Sequence, residues 1–185
     1  ILFAHLNNQL FFLMTHHSQD WNIQSARSTY LFDAWSEGYF DVSDNGNISV
    51  TPSPSHPEKR ADLYDIAKAI QETGVDFPVL VRFPDILNDR VHQLQSAFNS
   101  AISDIEYKGR YACVYPIKVN QQRSVLEALT SCDTPVGLEA GSKAELLAVL
   151  ALAPKNSLII CNGYKDHEFL RLALISQLLG HHTFI

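Results

Sequence analysis

Apolar residues recur along this chain at intervals that name the elements. YFDV (39–42), SDNGN (43–47) and ISVTP (48–52) predict a β-hairpin with Asn45-Gly46 in its turn. PSPSHPEK (52–59) holds three prolines within six residues and reads as a linker or an ordered surface loop. The texture then changes. Residues 61–73 predict a helix with Leu63, Ile66 and Ile70 on one face and Gly74 as its stop. PVLVRF (78–83) predicts a short buried strand. From Asp85 a long helix carries Leu87, Val91, Leu94, Phe98, Ile102 and Ile105 at steps of three or four, a stripe that reads as core. RYACVYPIKV (110–119) is the next strand, 121–132 the next helix, and VGLEAG (136–141) a third strand. Ser142 and Glu145 form a capping box opening a helix with Leu146, Leu147, Val149 and Leu150. SLIICN (157–162) is a fourth strand, Asp166 to Gly180 frames a helix, and HTFI (182–185) opens a fifth strand.

These strands are unbroken apolar runs rather than alternations, as strands covered on both faces should be. Strand and helix alternate, which is the signature of parallel βαβ units with right-handed crossovers. Two α/β architectures fit: an open doubly wound sheet, or the first half of a (β/α)₈ TIM-type barrel. No GxGxxG follows any strand, which lowers the dinucleotide-binding version. The chain stops at the opening of a strand, so a fragment is expected and a barrel cut in half is favoured. The organisation expected is an unassigned extension over 1–20, hairpin and linker over 21–60, and barrel units over 61–185.

Composition narrows the picture further. With 185 residues, 46% hydrophobic and 18% charged, the chain can bury a real core. A net charge of −6 argues against nonspecific binding to nucleic acid or an anionic membrane, because both need a positive field. Cys113, Cys132 and Cys161 are widely spaced, with no CxxC pair and no zinc pattern, and read as reduced thiols of a cytoplasmic protein. No run approaches the ~18–20 apolar residues of a membrane-spanning helix. The opening ILFAHLNNQLFFLM lacks a basic n-region, so it does not read as a signal peptide. Met14 is the only methionine, and it is the expected natural start, with 1–13 upstream of it.

Candidate chemistry falls where either architecture binds ligands, at the C-terminal ends of the strands. Lys118, Asn120, Glu139, Ser142, Asn162 and Tyr164 all lie at or just beyond those ends. Lys118 is either a charge reaching out to water from a strand end or an amine held inside for chemistry. Partial desolvation would favour its neutral, nucleophilic form. Glu139 could stabilise the ammonium or carry a proton, and the residues alone do not rank these roles. The remaining features have plainer readings. GSK (141–143) makes a tight turn into a capped helix. His16-His17 and His181-His182 are surface pairs, Arg82 is a salt-bridge residue, and Asn162-Gly163 is a turn.

Taken together, EGYFDVSDNGNISV, PVLVRFPDILNDRV, YKGRYACVYPIKVNQQRSVLEAL, GLEAGSKAELLAVLAL and LIICNGYKDHEFLRLAL resemble the N-terminal third of the biosynthetic arginine decarboxylases, from about Trp21 to Ile185. That family is similar to the alanine-racemase-like pyridoxal-phosphate enzymes, which have a barrel and a β-rich domain. The resemblance implies that Lys118 of YPIKVN is the Schiff-base lysine. It implies Glu139 as a catalytic acidic neighbour, with Asn120 and Ser142 lining the cofactor's mouth. It implies decarboxylation of L-arginine to agmatine on the path to putrescine and spermidine. It further implies pyridoxal 5'-phosphate as cofactor, a homo-oligomer, and a magnesium requirement for which the sequence shows no ligand set. Phosphate cradle, pyridine-nitrogen partner and guanidinium pocket are expected outside these residues, so the piece alone should be inactive. A racemase or another decarboxylase of the class would keep Lys118 with a different substrate. A noncatalytic module would leave it merely exposed.

Overall fold

A computed structural model describes residues 21–185. The extension over 1–20, Met14 as a start and the His16-His17 pair lie outside the described residues. Two compact units meet in sequence between Leu80 and Val81. The helix placed by its periodicity at the head of the barrel therefore belongs to the first unit, twenty residues of sequence beyond the boundary expected at 60.

In the first unit, helix α1 (Ile23–Thr29) is capped by Asn22, whose Oδ1 accepts from the Ser25 amide at 2.8 Å. A short helix α2 (Phe32–Trp35) follows. Strands β1 (Phe40–Val42), β2 (Ile48–Val50) and β3 (Ala61–Asp62) form an antiparallel sheet in that order, with Phe40 opposite Val50. Gly46 closes the β1–β2 turn at φ +82°, a conformation that favours glycine. Ala26, Phe32 and Val42 are buried together, and the Arg27 guanidinium grips the Asp41 carboxylate from α1 to β1. The proline-rich stretch is an ordered loop containing a 3₁₀ turn at Pro57–Lys59. Asp62 caps helix α3 (Leu63–Glu72), and Gly74 follows its end at φ +79°.

In the second unit, helix α4 (Pro84–Asp104) starts with proline in its first turn, where a missing N–H costs nothing. Strands β4 (Cys113–Pro116), β5 (Val136–Ala140), β6 (Leu158–Cys161) and β7 (His182–Phe184) are all parallel and lie in sequence order. Helices α5 (Arg123–Thr130), α6 (Lys143–Leu152) and α7 (His167–Leu178) connect them. No reversal of strand order occurs among these four strands. Ile117, Leu126, Leu138, Leu146, Val149, Ile159 and Phe169 are at most 1% exposed and form one cluster of sheet and helix residues. Burying each such side chain contributes roughly 1.5–3 kcal/mol.

Two expectations fail here for one reason. PVLVRF (78–83) is irregular rather than a strand, and Leu80 is 73% exposed. An apolar run becomes a strand only when its backbone groups find ladder partners, and none of the described strands pairs with it. On α4 only Val91 is buried, within a cluster that includes Val125, Leu129 and Val136. Leu94 and Phe98 are half-exposed and Ile105 is exposed. Periodicity marks the face a helix offers, but burial needs a neighbour along its whole length.

Candidate active site

The rim begins where β4 ends. Ile117, fully buried, donates its N–H to the Glu139 carbonyl at 3.1 Å, one step beyond the pairing of Pro116 with Glu139. The chain then turns, with the Val119 amide donating to the Pro116 carbonyl at 3.1 Å. Lys118 stands in that turn and is exposed. The turn is tied down on its far side. Asn120 Oδ1 accepts from the Gln122 amide at 3.0 Å, and the Tyr115 hydroxyl donates to the Asn120 carbonyl at 3.3 Å. The Arg82 guanidinium donates to Gln122 Oε1 at 2.8 Å, so Arg82 serves as a hydrogen-bond donor rather than the salt-bridge residue expected.

On the next strand, Glu139 is half-buried, and its Oε1 accepts from Asn162 Nδ2 at 3.4 Å. Asn162 follows β6, and its amide donates to the Ala140 carbonyl at 2.9 Å. Lys118, Glu139 and Asn162 thus come from three adjacent strand ends. Ser142 caps α6, its Oγ accepting from the Glu145 amide at 3.2 Å. Glu145 Oε2 reaches back to the Gly141 amide at 2.6 Å, one residue earlier than the usual reciprocal bond of a capping box. Asn120 and Ser142 therefore each hold a local turn with the side-chain oxygen that faces it. Tyr164 is 87% exposed. Gly163 lies against the Gly141 carbonyl, with no room for a Cβ.

A clamp at the same rim is invisible in the sequence. Lys143 Nζ donates to Asp166 Oδ2 at 2.9 Å and to Glu168 Oε2 at 3.0 Å, joining the starts of α6 and α7. Residues 23 and 25 positions apart give no local signal of such a contact. The Phe169 amide, and then Lys143, hold the Asp166 carboxyl below its ordinary range. Asp166, and then Glu168, push the Lys143 ammonium up. Burial pushes the thiols of Cys132 and Cys161 up, which keeps them protonated. All three cysteines are free.

The desolvation expected around Lys118 is not met. Lys118 is exposed in the turn that leaves the sheet of four described strands. Among the described residues no salt bridge engages it. A cleft of about 390 Å³ lies at the other ends of the strands, lined by Cys113, Val136, Leu158 and His182, and takes no part in the rim. No cluster of three or more His, Cys, Asp or Glu side chains suited to a metal ion occurs among the described residues. No helix among them is long and apolar enough to cross a membrane.

An exposed primary amine, with a carboxylate on the adjacent strand, is a group that an aldehyde could engage. The comparisons with known proteins point the same way. The family model for the pyridoxal-dependent decarboxylases, pyridoxal binding domain, matches residues 87–183, more than half of the chain. A biosynthetic arginine decarboxylase of Chromobacterium violaceum is 53% identical over 166 residues, 89% of this chain and 26% of that protein. One from Pseudomonas aeruginosa is 49% identical over 167 residues, 90% of this chain and 26% of that protein. The crystal structure of the biosynthetic arginine decarboxylase of Campylobacter jejuni superposes with a TM-score of 0.77 at 33% identity, covering 83% of this chain and 25% of that one. The chain thus spans about a quarter of the length of these relatives.

Proposed function

The chain belongs to the pyridoxal-dependent decarboxylase family, and from that premise we propose that it is the N-terminal part of an arginine decarboxylase. The reaction is conversion of L-arginine to agmatine and carbon dioxide, supplying putrescine and spermidine synthesis in the cytoplasm. The observation that carries this reading is Lys118 just beyond the C-terminal end of β4, whose Pro116 pairs with Glu139 on the next strand, in a chain 53% identical to a biosynthetic arginine decarboxylase. The four parallel strands in unreversed order support the second unit as the first half of a (β/α)₈ barrel. The antiparallel sheet before them would join a β-rich domain.

Lys118 would hold the aldehyde of pyridoxal 5'-phosphate through its Nζ. When bound, that group supplies an electron sink for the pair left by loss of the carboxylate. The exposed turn leaves Nζ free to enter and leave this bond, as substrate exchange requires. A nucleophilic Nζ must be neutral, so a proton acceptor beside it is needed. Glu139 is the carboxylate that the strand pairing puts nearest in the ladder. Its Oε1 is engaged by Asn162, which leaves Oε2 to take and return a proton. Asn120 and Ser142 line the mouth. A homo-oligomer and a magnesium ion belong to the reading by resemblance. The described residues carry no metal-ligand cluster, and no step is assigned to that ion.

Carbon dioxide release by the full-length enzyme from arginine, ornithine and diaminopimelate tests the substrate. Release from arginine far above the other two is expected. Release from ornithine or diaminopimelate alone would overturn the choice.

A further inference from the structure

We propose that Asn162 is a positioning residue for Glu139, holding one carboxylate oxygen so that the other serves the Lys118 amine. The proposal rests on the reading of Lys118 and Glu139 as a reacting pair. Four contacts fix the backbone that carries the carboxamide. The Asn162 amide extends the β5–β6 ladder by donating to the Ala140 carbonyl at 2.9 Å. Gly163 is seated against the Gly141 carbonyl, so the loop cannot accept a larger residue there without shifting. Beyond it, Lys165 Nζ donates to the Cys161 carbonyl at 3.0 Å, and the Lys143 clamp holds Asp166.

From this anchored backbone, Asn162 Nδ2 donates to Glu139 Oε1 at 3.4 Å. That distance lies just beyond the usual range of about 2.7–3.2 Å for such a bond, a weak contact at an exposed side chain. A glutamate carboxylate rotates broadly about its last bond unless something holds it. Among the described residues, Asn162 is the side chain observed in contact with this one. Neutral and donating, it fixes the plane of the carboxylate while leaving Oε2 open. An acid in its place would repel Glu139, and an apolar residue would leave it free to turn.

The test compares Asn162→Ala and the isosteric Asn162→Asp with wild type in the full-length enzyme, by single-turnover and steady-state release of carbon dioxide. Asn162→Ala should lower kcat about tenfold, the loss of one hydrogen bond to a charged group, with KM for arginine changed less than twofold. Asn162→Asp, which keeps the shape, should be at least as slow. In a Glu139→Gln background, Asn162→Ala should add no further loss, because its effect runs through the carboxylate. Wild-type kcat in Asn162→Ala, or the same fold-loss in both backgrounds, would overturn the proposal. Borohydride labelling of each variant with pyridoxal phosphate separates the two failures. Label at Lys118 with independent losses sinks only the role of Asn162. Label elsewhere sinks the underlying reading of the site.

Discussion

At the scale of the residue, position and environment divide the candidates. Lys118 and Glu139 sit at neighbouring strand ends, whereas Ser142 spends its acceptor on the Glu145 amide. Ser142→Ala should therefore lower unfolding free energy by about 1 kcal/mol, the cost of an N-cap, measured by chemical denaturation. No change in stability would show the cap to be idle. Asp166 gives a pH signature. Its folded carboxyl lies below the ordinary range because the Phe169 amide and Lys143 favour its charged form. The stability it confers is present above the unfolded-state value and is lost as pH falls through the lowered folded value. Acid titration should find Asp166→Asn, which keeps a cap but cannot titrate, less sensitive than wild type over that window. Parallel acid curves would contradict this.

At the scale of the element, what was legible in sequence was what is local. The Ser142–Glu145 cap, the glycines at 74 and 180 and the apolar cores of β5 and β6 need only near neighbours, and each is where its pattern puts it. The run 78–83 and the stripe on α4 depend on a second surface, which a periodicity does not record. The Lys143–Asp166–Glu168 clamp and the Asn162–Glu139 contact likewise arise only when β5 and β6 lie side by side. Two substitutions test this level. Phe169→Ala, at the centre of the main cluster, should cost about 3–5 kcal/mol. Gly163→Ala should force the β6–α7 loop away from Gly141 and slow turnover in the full-length enzyme, with a crystal structure showing the shift. Unchanged turnover and loop would mean that the close approach is incidental.

At the scale of the molecule, the described sheet is open at both β4 and β7, and Leu80, Leu178 and Phe184 are largely exposed. Unpaired strand edges and apolar surface favour association. The 185-residue chain should self-associate with rising concentration in sedimentation velocity, and a strictly monomeric chain would contradict this. Lys118 is likewise exposed, in the turn that follows β4 at one edge of this sheet. The most direct measurement is borohydride reduction of the full-length enzyme with pyridoxal phosphate, followed by peptide mapping. The account predicts a stable pyridoxyl adduct on Lys118. An adduct on any other lysine, with Lys118 unmodified, would contradict it.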